Sequence, residues 1–225
     1  MLNPYITRRG FSLIELVVGL GIVAFVLAMA VPSFSAWSQN MQIRNAAESI
    51  SNGLQYARAE ALKRNTTVRF NLTTSVDNSC TLSSTNTNWV VNLGSNGVND
   101  PSSACGATIS PTVTAYTASA SPYLLQVYSA ASTPNAVASM SSSAQSYVVF
   151  NSLGQVAWPT TGACVSAAGT ATSGSVVCID VTNPTGGSCV SASGTMTCMR
   201  VEVSLPAGQI RMCNPNATAG SPQGC

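Results

Sequence analysis

The sequence predicts an α+β protein, a long N-terminal helix packed on a C-terminal antiparallel β-sheet domain with disulfides. Three observations predict it. Residues 11–37 form an apolar run holding a single charge, residues 43–61 continue with apolar positions at helical spacing, and the chain after Asn65 breaks into short Ser, Thr, Val, Asn and Gly runs that carry eight cysteines.

Only 7% of the 225 residues are charged, against roughly 25% in an average soluble protein. Much of the deficit lies near the N-terminus. Between Phe11 and Trp37 the one ionisable side chain is Glu15, and residues 16–31 are apolar apart from Gly and Ala. At about 1.5 Å per residue, a helix of this length crosses the ~30 Å hydrocarbon core of a bilayer. Arg8 and Arg9 stand just before the run, so the positive-inside rule keeps the N-terminus in the cytoplasm and exports the rest of the chain. Pro32 removes a backbone hydrogen bond and predicts a kink.

Beyond Trp37 the pattern becomes amphipathic. Ile43, Ala47, Ile50, Leu54, Ala57 and Ala61 recur at spacings of three and four, a stripe suited to packing on the chain's own domain. Arg44, Glu48, Arg58, Glu60, Lys63 and Arg64 fall mostly off the stripe and read as a solvated face, with Glu60 and Arg64 spaced for an i,i+4 pair. A partner-binding coiled coil is the alternative, and the three alanines make its seam narrow.

The remainder reads as strands with polar turns, at 67–73, 89–93, 123–128, 147–150, 155–157, 175–181, 199–205 and 209–213. In 199–205 the alternation turns an apolar set inward and Arg200 and Glu202 toward water. Ser/Thr/Ala-rich stretches between strands, 129–146 the longest, read as loops. A short echo, Cys164-Val-Ser-Ala-Ala-Gly-Thr and Cys189-Val-Ser-Ala-Ser-Gly-Thr, marks two cysteine-stapled hairpins.

Eight cysteines without a histidine, separated by 8 to 24 residues apart from the 58 between Cys105 and Cys164, suit disulfides in an oxidising compartment better than a metal site. Eight cysteines allow 105 connectivities. Proximity favours Cys80–Cys105, Cys164–Cys178, Cys189–Cys198 and Cys213–Cys225, each worth roughly 2–4 kcal/mol.

An ordinary signal peptide cut after Ala28-Met29-Ala30, or a plain single-span anchor, leaves Glu15 unexplained. A charged residue at mid-membrane costs ~2.5 kcal/mol or more on insertion scales. The string Arg8-Arg9-Gly10-Phe11-Ser12-Leu13-Ile14-Glu15-Leu16 resembles the processing motif of type IV prepilins: a basic leader ending in Gly, then Phe, then Glu five residues into the mature chain. The stretch Tyr147-Val-Val-Phe-Asn-Ser-Leu-Gly-Gln-Val and the closing Gly208-Gln209-Ile210-Arg211-Met212-Cys213-Asn214-Pro215 resemble segments of the FimT, FimU and GspH group of minor pilins and pseudopilins.

The resemblance implies a type IV pilin fold organised as a cleaved leader (1–10), a helix (11–64, with 11–37 the membrane and assembly part) and a β-rich periplasmic domain (65–225). It also implies that a prepilin peptidase cuts between Gly10 and Phe11 and N-methylates Phe11. Glu15 then pairs with the Phe11 amine of a neighbouring subunit, because a buried carboxylate requires a cation. The implied partners are other minor and major pilins, the prepilin peptidase, the inner-membrane assembly platform and the inner membrane itself. The protein would span that membrane once before entering a pilus or pseudopilus.

The function implied is that of a tip or priming subunit of a type IV pilus, with a GspH-like pseudopilin of type II secretion as one alternative and a DNA-binding minor pilin as another. Some FimT members bind DNA through a C-terminal Gly-Arg-x-Arg element. Gly208 and Arg211 match it, but Gln209 replaces the first arginine. Without Arg8 and Arg9 the nine basic and seven acidic residues become seven of each. From Thr66 onward only Arg69, Arg200 and Arg211 are basic, so phosphate neutralisation by Arg211 and Arg200 would be weak. No histidine and no G-x-x-x-x-G-K loop are present, and Lys63 is the one lysine. An enzyme, a cofactor or a metal is not expected.

Overall fold

The structure, a computed structural model, describes residues 10–114, 122–141, 146–165, 171–187, 189, 194, 196–217 and 221–225. Arg8, Arg9 and parts of the two cysteine echoes lie outside them. The chain divides into two compact units between Ser38 and Gln39. A single helical run, α1 (Leu13–Arg64), supplies residues to both.

In the first unit the helix starts at Ser12, whose Oγ accepts from the Ile14 amide at 3.2 Å and whose carbonyl accepts from Leu16 at 3.2 Å. This is N-capping, which satisfies donors that the first turn leaves unpaired. Leu13, Ile14, Leu16, Val17 and Val18 through Met29 are exposed. The helical run includes Pro32, but the side chains of residues 30–33 lie outside the described set. Among the described residues no single helix is long and apolar enough to cross a membrane; Leu13–Met29 and Phe34–Arg64 meet that requirement as a pair, by length and composition.

The second unit holds the core. Ile43, Ala47, Ile50, Leu54, Ala57 and Ala61 are each 0% exposed, so the stripe packs on the chain's own domain. Its sheets follow from β1 (Val68–Thr73), β2 (Asn88–Leu93), β3 (Tyr123–Tyr128), β4 (Val137–Met140), β5 (Tyr147–Phe150), β6 (Val156–Trp158), β7 (Gly162–Val165), β8 (Ala171–Gly174), β9 (Val176–Thr182), β10 (Met199–Ser204) and β11 (Ile210–Cys213). All pairings between these strands are antiparallel. One sheet runs β3-β2-β1-β5-β6, a second β11-β10-β9-β4, and β7-β8 form a hairpin. The fold is the α+β pilin arrangement expected from the sequence.

The helix approaches the first sheet at Gly53, where a Cβ would stand 2.8 Å from the Phe70 ring and 3.0 Å from Trp89. Strand β1 is buried along its whole length, because both faces are covered. Phe70 meets the helix. On the opposite face Arg69, Asn71 and Asn92 lie under the turn that contains Ser95 and Val98, and Val90 and Leu124 lie under the Cys80–Cys105 bridge.

Three expectations are corrected. Residues 129–146, expected as a loop, contain a 3-10 turn (Ala130–Ser132) and β4, which pairs with β9 through Ala138 opposite Val181 and Met140 opposite Ile179. Small side chains hid this strand, because Val-Ala-Ser-Met has little β signal of its own. Glu60 and Arg64, expected on a solvated face, are 9% and 5% exposed in their side chains. The segment over them is held by Arg64, which donates to the carbonyls of Val113 and Pro111.

Arg200 and Glu202, expected to face water, are 6% and 8% exposed. The alternation placed them correctly on one face, but that face is covered. Cys178 stands opposite Glu202, and Cys213 opposite Arg200. Their disulfides to Cys164 and Cys225 bring the β7-β8 hairpin and the chain terminus over the sheet.

Candidate functional site

Two groups of residues bear on function. The first is the N-terminal string. Gly10 and Phe11 are exposed, Phe11 to 84%, and among the described residues a Cβ at Gly10 would meet nothing within 4 Å. Glu15 lies in the first turn of α1, where the helix dipole favours a carboxylate. Ser12 and Glu15 also stand at the spacing of a capping box, although the Ser12 hydroxyl accepts from the Ile14 amide, as an ordinary N-cap does, and not from Glu15. The sequence carried this signal as Ser-x-x-Glu.

The second group surrounds Gly208. It joins the segments 147–156 and 208–215, distant in sequence. Gly154 and Gly208 both adopt positive φ, +70 and +67, a region that favours glycine. The Val156 amide donates to the Pro206 carbonyl at 2.8 Å. From the helix, Arg58 donates through Nε to the Gly154 carbonyl at 3.0 Å and through Nη2 to the Ala207 carbonyl at 3.4 Å. Arg58 thus binds both turns to α1, a role its sequence position gave no sign of.

Next to this turn, the cations considered for DNA contact are engaged with acids. Arg211 donates through Nε to Glu202 Oε2 at 2.7 Å, its side chain 59% exposed. Arg200 grips Asp180 with two bonds, at 2.6 and 3.0 Å, a bidentate pairing that fixes the guanidinium plane. Arg69 is wholly buried, lies 4.1 Å from the centre of the Tyr147 ring and approaches Asp100 at 3.6 Å. Every arginine after Thr66 therefore has a carboxylate within ion-pair distance.

All eight cysteines are joined in disulfides, Cys80–Cys105, Cys164–Cys178, Cys189–Cys198 and Cys213–Cys225. Glu202 comes within ligand-cluster distance of two of them, one group with Cys164 and Cys178 and another with Cys213 and Cys225. Sulfurs held in disulfides present no thiolate to a metal. The Glu202 carboxylate instead answers Arg211, with the Cys178 sulfur 3.9 Å from its Oε1.

A family model described as type II transport protein GspH matches residues 46–195, more than half of the chain, and one described as a prokaryotic N-terminal methylation motif matches residues 7–31. Among solved structures, the Pseudomonas aeruginosa type IV minor pilin FimU is similar in two crystal forms. The first is 14% identical with a TM-score of 0.47, over 80% of this chain and 95% of that one. The second is 16% identical with a TM-score of 0.42, over 77% and 94%. No curated protein matches the chain in sequence. The methylation motif and the apolar helix behind it fit a membrane-anchored pilin, and the matched domain shows that the chain belongs to the GspH family.

Proposed function

We propose that this protein is a minor pilin of a type IV pilus, acting at the tip as a priming subunit for assembly. The observation that carries the reading is the register of Gly10, Phe11 and Glu15 ahead of an exposed apolar helix. Prepilin peptidase cuts after Gly10 and methylates Phe11. Cleavage creates an amine that a neighbouring subunit's Glu15 can neutralise, and it removes the two leader arginines. Before extraction the helix spans the inner membrane once, with the disulfide-bonded domain in the periplasm, an oxidising compartment. The partners are then other minor and major pilins and the inner-membrane assembly platform. The tip and priming role itself rests on the resemblance to the FimT, FimU and GspH group.

The description of the matched family favours a second reading, a pseudopilin of type II secretion. DNA capture has the least support, since Arg69, Arg200 and Arg211 all face carboxylates. Deletion of the gene, scored separately for surface pili, secreted enzymes and transformation, separates the three. Loss of surface pili with normal secretion supports the first reading, and loss of transformation with normal pili supports DNA capture. Loss of secretion alone overturns the first reading.

A further inference from the structure

A groove runs between the second half of α1 and β3. On its helix side, Asn45, Glu48 and Asn52 succeed one another at spacings of three and four, which puts them on one stripe. On its sheet side, Gln126 and Tyr128 point the same way along β3. They line one cavity of 320 Å³ with Trp89 at its base, at the lower end of the roughly 300–1,000 Å³ of small-molecule sites. Three of its seven lining residues, Asn45, Asn52 and Gln126, carry amides. The side chains of Asn45, Asn52 and Gln126 hold no hydrogen bond among the described residues, and Glu48 gives Oε1 to Arg44 at 2.9 Å, leaving Oε2.

The floor of the groove is aromatic. Trp89 stacks on Tyr128 with ring centres 5.4 Å apart and planes within 12°. Behind it, Phe70 lies 5.6 Å away, and the indole Nε1 donates to Ser49 Oγ at 2.9 Å. Trp89 is 2% exposed while Tyr128 is half-buried, so Tyr128 ends the stack on the groove side.

We propose that this groove binds a neutral saccharide ring, with its C–H face on Tyr128 and its hydroxyls bonded to Asn45, Asn52, Gln126 and Glu48. Amides donate and accept at once, as hydroxyl-rich ligands require, and an aromatic face packs the apolar side of a sugar. An anion finds no cation in the lining and meets Glu48. An apolar ligand would leave three amides without partners. An added peptide strand finds β3 already engaged at Leu124, whose carbonyl accepts from Ser110 at 2.7 Å. The site does not depend on which filament carries the chain.

The test uses the full mature chain in a detergent without a sugar headgroup and saturation-transfer NMR with the methyl glycosides of glucose, galactose, mannose and the N-acetylhexosamines. The expected result is transfer to at least one glycoside, with affinity weakened roughly tenfold or more in Tyr128→Leu and retained within about twofold in Tyr128→Phe. The double variant Asn45→Ala/Asn52→Ala, at exposed positions, carries the test if Tyr128→Leu does not fold, and it too should weaken binding. Absence of transfer to every glycoside, or binding unchanged in these variants, overturns the proposal.

Discussion

Gly208 lies directly against the carbonyl of Gly154, so close that a side-chain carbon at 208 would overlap that oxygen. The contact joins a turn after β5 to the turn before β11, and Arg58 ties the Gly154 side of it to the helix. These turns belong to the two C-terminal segments that resemble the pilin group. The two stretches therefore constrain each other in the folded domain, through this contact and through the bond from the Val156 amide to the Pro206 carbonyl.

Gly208→Ala is expected to destabilise the domain by about 1–3 kcal/mol, through both the overlap and the positive φ. Thermal unfolding of the full chain in detergent should register a drop of several degrees. An unchanged midpoint would mean that the two turns part without cost.

Gly53→Val should be at least as harmful. Its side chain would enter the space between Phe70 and Trp89, and overpacking of this kind costs typically about 1–3 kcal/mol. The same denaturation measurement checks it, and near-ultraviolet circular dichroism should report the displaced Trp89 and Tyr128 stack.

Glu60 makes stability depend on acid. Burial alone raises its pKa, but hydrogen bonds from Arg64 and Lys63, together with their charges, outweigh burial and hold the carboxyl below its ordinary value of 4.5. A carboxyl depressed in the folded state stabilises above its unfolded pKa and loses that contribution as pH falls through the folded value. Asp77, bonded by the hydroxyl and amide of Ser79 and by Ser75, shifts in the same direction from an exposed turn. Glu60→Gln should lower the urea midpoint at neutral pH and flatten its fall below about pH 5. Equal slopes in wild type and variant would contradict this.

Arg69 is expected to be the most sensitive charge in the domain. It lies fully buried between Tyr147, Asn71 and the carbonyls of Ser95 and Val98, and burial lowers its pKa, partly offset by Asp100. Arg69→Ala removes the ring contact and leaves those acceptors unpaired, at a cost of about 3–5 kcal/mol. Arg69→Met should cost less, since the stem's packing is kept. Urea unfolding of the two variants distinguishes them, and equal losses would mean that the charge alone matters.

The helix and its stripe were legible in the sequence because their signal is local: Ile43 to Ala61 repeats every three or four residues, and all six positions are buried. The strands with large side chains, such as Tyr123–Tyr128 and Tyr147–Phe150, were legible for the same reason. What covers a face was not. The alternation of Met199–Ser204 showed that Arg200 and Glu202 share a side, and proximity paired the cysteines as the structure has them, but neither showed that Cys178 and Cys213 stand opposite Glu202 and Arg200 and bring the hairpin and chain terminus over that face. Arg58 and Arg69 were unreadable as site residues, because their partners lie far along the chain. The Gly10, Phe11 and Glu15 string, by contrast, is a matter of register along the chain and falls within the matched methylation motif.

Cleavage at Gly10 as the source of the partner for Glu15 in assembly is tested most directly by Glu15→Ala. Mass spectrometry of the N-terminus and recovery of the protein in sheared filaments are to be measured on the same cells. The expected outcome is a chain that begins at methylated Phe11 in wild type and variant alike, with the variant largely missing from filaments. Recovery of Glu15→Ala in filaments at the wild-type level, or a mature chain that begins elsewhere, would contradict it.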